Sequence, residues 1–327
     1  MLKGGHDISE LLAGGLTEPE IRERLLGLTP EKLNVELFER TIAQVRAHCS
    51  PDFSKLSGLG VNAIDCSGTG GSGRPRFNTS TAAAFILAAG GVKVAKFGNR
   101  AATSRSGSFD LLNQLNISEK IDAQMAARIL NAAGLVFIFA PQVYPALGAL
   151  SAVRAALGVS TVFNFIGPLL NPVAPAFRVM GVADPVMQQL VMAVLKQTTS
   201  TACAFVVRSA CGLDEICPCC RTRVGEVRNG VVHEFDIEPW VKRDCRSAER
   251  PYTPADNAEI FLRIVRGADD SSYEYELLCA NAGAGFVASG NAATIDEGIS
   301  TAKKLITERR VEQQLAKIKE AYGKHAS

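Results

Sequence analysis

Two hydrophobic rhythms divide the chain. Across residues 8–49, Leu11, Leu12, Ile21, Leu25 and Leu26 recur at roughly helical spacing. Thr17 and Thr29 each stand ahead of a Glu with a Pro in the first turn, the arrangement in which a hydroxyl caps a helix and a proline presets φ. This stretch predicts several short amphipathic helices, with no strand before about Val61.

From Asn62 the pattern becomes short apolar runs separated by helical stretches. Residues 62–66, 92–96, 135–140, 177–182 and 202–207 predict buried strands, and helices are expected over 81–89, 123–132, 145–157 and 186–198. Such alternation predicts an α/β fold with a mainly parallel central sheet and helices on both faces. Residues 224–235 read as a hairpin turning at Asn229 and Gly230, since Asn-Gly accepts positive φ at both central positions. The tail from Thr294 predicts one or two amphipathic helices. A domain boundary is expected near residue 62, and no fixed-period repeat or low-complexity linker interrupts the pattern.

Composition narrows the function classes. The length of 327 residues suits a large domain with a smaller one attached, or two comparable domains. Lys and Arg number 35 and Asp and Glu 33, a net charge of +2, so no overall field favours nucleic acid or a membrane, and an anionic ligand must be held by local groups. Nine cysteines, an odd number with no secretory leader, argue against a disulfide framework. The most apolar stretch, 82–92, is too short to cross a bilayer and ends at Lys93. A cytoplasmic protein with reduced thiols is expected.

Three motifs carry candidate chemistry. The run 64–73 leaves a strand with Gly68, Gly70, Gly71 and Gly73, which let the backbone approach a ligand and turn its N–H groups into an anion nest. The helix opening after residues 78–81 adds free N–H groups and a favourable dipole, with Ser80 and Thr81 as hydroxyl donors. No Walker lysine follows, and no ribose-binding acid marks a dinucleotide fold. The second motif begins at Lys96, beyond whose strand lie Asn99, Arg100, Ser104, Arg105, Ser106 and Ser108 around Gly98 and Gly107. These short polar and cationic residues suit a second phosphate and ribose hydroxyls. They are expected at the rim where sheet enzymes bind ligands, past the carboxyl ends of the strands. The third is Asp214-Glu215, just after another strand. Oxygen ligands of this kind hold Mg²⁺ against an anionic substrate.

Taken together, the segments Gly-Thr-Gly-Gly-Ser-Gly (68–73), 77–85, 96–100, 104–112, 163–172 and Gly-Leu-Asp-Glu-Ile (212–216) resemble, in order and spacing, the anthranilate phosphoribosyltransferase family. The likeness runs from about residue 62 to the end, with a weaker helical likeness before it. It implies a small, discontinuous helical domain (1–62 and 141–168) beside a larger α/β domain (63–140 and 169–327) that binds the donor, with the site in the cleft between them and a homodimer formed through the helical part. It implies Mg²⁺ as cofactor, phosphoribosyl pyrophosphate as donor, anthranilate as acceptor, and no nucleic-acid or membrane partner. By the same resemblance Gly68, Thr69, Gly70, Gly71, Asn78, Ser80, Thr81, Lys96 and Ser108 would hold the donor, with Lys96 acting electrostatically. Ser80, Asp214 and Glu215 would bind the metal. Asn99, Arg154, Pro168, Phe97 and Tyr144 would face the acceptor, Arg154 gripping its carboxylate.

Several positions depart from the family pattern. Histidines are usual where this chain has Phe97, Tyr144 and Ser209, an acid where it has Ser72, and a threonine where it has Arg76. The alternatives are a paralogue with another aromatic or heterocyclic acceptor, or a non-catalytic nucleic-acid-binding relative, which the retained acids and the near-neutral charge oppose. Cys211, Cys217, Cys219 and Cys220 cluster around the acidic pair. Their spacing matches no standard zinc site, and adjacent cysteines do not easily face one ion, so a diverged turn is expected there. His6, His48, His233 and His325 lie in no motif.

Overall fold

In a computed structural model, residues 8–70, 72–74, 77–100, 106–248 and 250–323 are described. The seven strands are β1 (Ala63–Gly68), β2 (Lys93–Gly98), β3 (Leu135–Phe139), β4 (Phe177–Gly181), β5 (Cys203–Ser209), β6 (Thr222–Arg228) and β7 (Val231–Ile237). They form one sheet in the order β3-β2-β1-β4-β5-β6-β7. Pairing is parallel from β3 to β5 and antiparallel from β5 to β7. The β6–β7 hairpin turns at Asn229 and Gly230, with φ of 49° and 76°, as the sequence signal requires.

The chain builds outward from β1 to β2 and β3, returns to the middle, and then builds the other way through β4 and β5. β1 and β4 therefore flank the point where the winding direction reverses, the place past the strand ends where such sheets bind ligands.

Helix Thr79–Ala89 packs on β1 and β2 and is buried along almost its whole length, with helix Tyr273–Ala288 against its other side. Both are covered all round, so they show almost no amphipathic period. On another side of the sheet, helix Pro185–Gln197 packs against β5 and β6. The expected helix over 145–157 is two short helices, Pro145–Ala149 and Ser151–Leu157. Leu150, between them, is buried. The C-terminal stretch forms two helices, Ile295–Thr307 and Arg310–Gly323. Helices Pro254–Val265 and Tyr273–Ala288 were not expected from the pattern.

The N-terminal stretch forms helices Ser9–Ala13, Glu18–Leu26 and Val35–Ala47, the last capped by Asn34, while Thr29 precedes only a short 3-10 turn, Pro30–Lys32, and its side chain does not cap it. Thr17 opens the second with a capping box closed by Glu20. Helix Glu18–Leu26 packs on Ser151–Leu157. The Val162 N–H donates to the Leu28 carbonyl, and the Ser50 N–H to the Val143 carbonyl. Among the described residues no helix is long and apolar enough to cross a membrane.

Candidate active site

Glycine is required where β1 and β4 end. Gly68 and Gly181 are register partners. A Cβ on Gly181 would stand 1.7 Å from the Asp214 carbonyl oxygen, and one on Gly68 would stand 2.5 Å from Asp214 Oδ2. The loop after β5 thus lies directly over the switch point, and only bare backbone admits it. The Gly70 N–H donates to Asp214 Oδ2 at 3.1 Å, and the Thr69 N–H donates to the Gly181 carbonyl at 2.8 Å. Thr79, in the first turn of helix Thr79–Ala89, donates its hydroxyl to Glu215 Oε2 at 2.9 Å. The first glycine loop, the helix start and the acidic pair meet in one corner.

The second loop joins the same corner. Asn78 Nδ2 donates to the Gly107 carbonyl at 2.6 Å, and the Asn78 N–H donates to Oδ1 of the fully buried Asn257 at 2.7 Å. Ser108 opens helix Ser108–Gln114 and lies 3.1 Å from where a Cβ on Gly98 would be. Asn99 is exposed, and Arg100 is paired with Glu119 at 2.6 Å. Gly71, Arg76, Ser104 and Arg105 lie outside the described residues. Ser80 is half-buried. Thr81 is buried, and its Oγ1 has no hydrogen-bond partner among the described residues.

Lys96 is not at the solvent rim where its place in the sequence put it. It is 2% exposed, and its ammonium donates to the Cys66 carbonyl at 2.7 Å, beneath the first loop. Burial pushes Lys96 down from its ordinary range, while Asp65, Cys66 and Glu215 pull it back up. Burial raises the Asp65 carboxyl against the pull of Lys96, Asn171 and Arg178. Asn171 Nδ2 bridges Asp65 and the Ala95 carbonyl at 2.9 and 2.8 Å. Nothing local in the sequence marks Asp65 as the buried carboxyl that offsets part of the effect of burial on Lys96.

The expected acceptor residues differ more from their assignments. Phe97 and Tyr144 are both buried and meet edge to face, with ring centroids 6.2 Å apart and planes at 88°. The Tyr144 hydroxyl donates to the Leu170 carbonyl at 2.8 Å. In this structure the two residues therefore pack on each other. Pro168 lies in a buried turn whose own carbonyl accepts from Arg178 at 3.0 Å, while the Leu169 carbonyl accepts from Arg46 at 2.7 Å. Burial lowers Arg178 to about 10. Arg154 is half-buried with its guanidinium 5.5 Å from the Phe163 ring centre, and its Nε has no partner among the described residues. Ser209 is fully buried. Its hydroxyl donates to the Glu215 carbonyl and pairs with Thr222 Oγ1 at 2.8 Å, so it shapes the acidic loop from below.

Residues 60–309 match the model of a glycosyl transferase family, a/b domain. The anthranilate phosphoribosyltransferase of Desulfitobacterium hafniense (strain Y51) is 36% identical over 319 residues, covering 95% of this chain and 91% of that protein. The chain belongs to the anthranilate phosphoribosyltransferase family. The Thermus thermophilus member superposes with a TM-score of 0.86 at 30% identity, covering 97% of this chain and 93% of that one. The Saccharomyces cerevisiae member, solved with phosphoribosyl pyrophosphate and Mg, superposes with a TM-score of 0.86 at 27% identity, covering 97% and 91%. The mixed sheet with its parallel centre is the fold of this family.

Proposed function

We propose that this chain transfers the phosphoribosyl group of phosphoribosyl pyrophosphate to the amino group of anthranilate, releasing pyrophosphate in a step of tryptophan biosynthesis. One observation carries the reading: the contact between Asp214 and the Gly70 N–H, which brings a carboxylate, a glycine nest and a helix N-terminus to the sheet's switch point. The family member from Saccharomyces cerevisiae solved with this donor and Mg supports it.

Asp214, Glu215 and Ser80 would hold Mg²⁺. The donor set is all oxygen, which suits this ion, and the Thr81 hydroxyl, without a hydrogen-bond partner among the described residues, leaves a further oxygen in the same first turn. When bound, Mg²⁺ supplies positive charge against the diphosphate.

The chain's own groups do the rest. The N-terminal end of helix Thr79–Ala89 faces the anion, while the Thr69 and Gly70 amides hold the loop in place by donating to the Gly181 carbonyl and Asp214. Lys96 adds positive potential from beneath the loop, and Asp65 and Glu215 favour its charged form against the effect of burial. Ser108 and Asn78 order the second loop around the ribose. Arg154 and Asn99 hold the acceptor, with a guanidinium edge suited to a planar carboxylate. The amine's electron pair forms the bond to the anomeric carbon as the bond to diphosphate breaks, and the extra amine proton leaves to solvent. Positioning and charge stabilisation suffice, so no protein nucleophile is needed.

The two-part organisation, 1–62 with 141–168 against the remainder, belongs to the same reading. The packing of helix Glu18–Leu26 on Ser151–Leu157 supports it. A homodimer through this part would cover the exposed Leu26 and Val159.

A second reading keeps the donor and changes the acceptor to another aromatic or heterocyclic amine. The Phe97–Tyr144 contact favours it, because two positions that carry histidines in the family pattern are here replaced as a packed pair. Calorimetry with phosphoribosyl pyrophosphate and Mg²⁺, followed by anthranilate turnover, tests both. Donor binding with turnover supports the first reading, and donor binding without turnover supports the second. No donor binding overturns both.

A further inference from the structure

The loop that carries the acidic pair is bracketed by cysteines. Cys211 lies three residues before Asp214, and Cys217 lies two after Glu215. The structure folds Cys217 and Cys220 back on Cys211 and adds Cys245, from the segment after β7. All four sulfurs lie within 4.8 Å of one another. The expectation of a diverged turn counted Cys219 among the cluster. The structure leaves Cys219 out and brings in Cys245, so no two adjacent residues need share an ion.

We infer that Cys211, Cys217, Cys220 and Cys245 form a structural zinc site that pins the acidic loop to the segment after β7. A tetrahedral zinc with Zn–S of about 2.3 Å needs sulfurs about 3.8 Å apart, which small side-chain rotations reach from the observed packing. Cys217 and Cys220 have the two-residue spacing of a metal-binding knuckle.

The surroundings suit thiolates. The Leu213 and Cys219 amides donate toward the sulfurs of Cys211 and Cys217. The guanidinium of Arg74 donates to the Cys211 carbonyl and reaches Cys245 Sγ at 3.9 Å, a cation beside a site whose net charge would be negative. The Tyr273 hydroxyl lies 3.8 Å from Cys217 Sγ. The apolar cluster here is small and separate from the main core, comprising Leu213, Tyr273 and Leu277 around the cysteines. A few side chains of this kind bury little surface, and a four-thiolate metal would supply the missing cohesion. Binding would expel the remaining thiol protons to solvent. Four sulfur ligands fill a tetrahedron and leave no open position, so the ion is structural.

The test is metal analysis of the full chain purified under reducing conditions without added zinc. One zinc per chain is expected. Cys220→Ser and Cys245→Ser should lower retained zinc by at least about tenfold, and Cys219→Ser should keep it. Cobalt exchanged into the wild-type protein should give the intense charge-transfer absorption of a tetrahedral thiolate site, a readout that needs no variant to fold. The apo protein should unfold at a lower temperature than the zinc form. Any of the following overturns the inference: wild-type protein that neither contains zinc nor gains thermal stability from it; iron in place of zinc; zinc retained equally by Cys220→Ser and Cys245→Ser; or a mass two hydrogens light, showing a disulfide among these residues. None of these outcomes depends on phosphoribosyl transfer.

Discussion

Past the end of β1, Asp214 rests on bare glycine backbone and accepts from the Gly70 amide, and Glu215 accepts from Thr79. Within the last paired residues of β2, at positions where the family pattern carries histidines, Phe97 meets Tyr144 edge to face and the tyrosine hydroxyl is held by the Leu170 carbonyl. The first corner is polar, joins three distant segments and tolerates no added atom at Gly181. The second is two rings in contact, which can be exchanged together for other shapes. The difference separates two demands on one site. The charge of a diphosphate is the same whatever the acceptor, whereas the acceptor's shape is read by packing that can drift.

The largest expected effect breaks the polar corner. Glu215→Ala should lower kcat by about 10²- to 10³-fold, as loss of a preorganised charge-stabilising group does, in steady-state assays at saturating donor. Near-normal turnover would remove the acid pair from the mechanism. Next, Gly181→Ala should displace the Asp214 backbone. It should weaken donor binding at least tenfold by calorimetry and destabilise the fold by about 1–3 kcal/mol, as overpacking does. Tyr144→Phe leaves the buried Leu170 carbonyl without its donor, a loss of about 1–3 kcal/mol measurable by denaturant unfolding, with donor affinity unchanged. The smallest change sharpens the comparison. Phe97→His gives up the ring pair, worth about 0.5–1.5 kcal/mol, and should alter the KM for the acceptor while leaving donor affinity within twofold. Combined with Gly181→Ala it should act additively on donor affinity, because β1 separates the strands that carry the two residues. Strong coupling between them would merge what the comparison separates.

Much of this corner was legible in the chain. Glycines after an apolar run, a hydroxyl-rich helix start and a strand-end acidic pair each have a local physical meaning, and alternation placed them at one end of a parallel sheet. What was not legible is non-local. Helix Tyr273–Ala288 is buried on nearly every side, so its sequence lacks the periodicity by which surface helices are recognised. Gly181 reads as an ordinary strand end until the loop after β5 lies on it. Asp65 reads as a strand residue until Lys96, Asn171 and Arg178 surround it. Thr79 and Asn257 act through partners far along the chain, Glu215 and Asn78. Cys245 joins three other sulfurs only because the hairpin returns the chain past the acidic loop.

The pairing of Ile64 with Phe177 at the sheet's centre has a consequence for synthesis. β1 leaves the ribosome long before its inner neighbour exists, so the nascent chain must hold β1, β2 and β3 with one side open until residues 177–181 emerge. Contacts this distant in sequence slow folding and expose an unpaired strand in the interval. Overproduced chain should therefore be most vulnerable to aggregation before β4 is made, and slower translation past residue 181 should do little to rescue it.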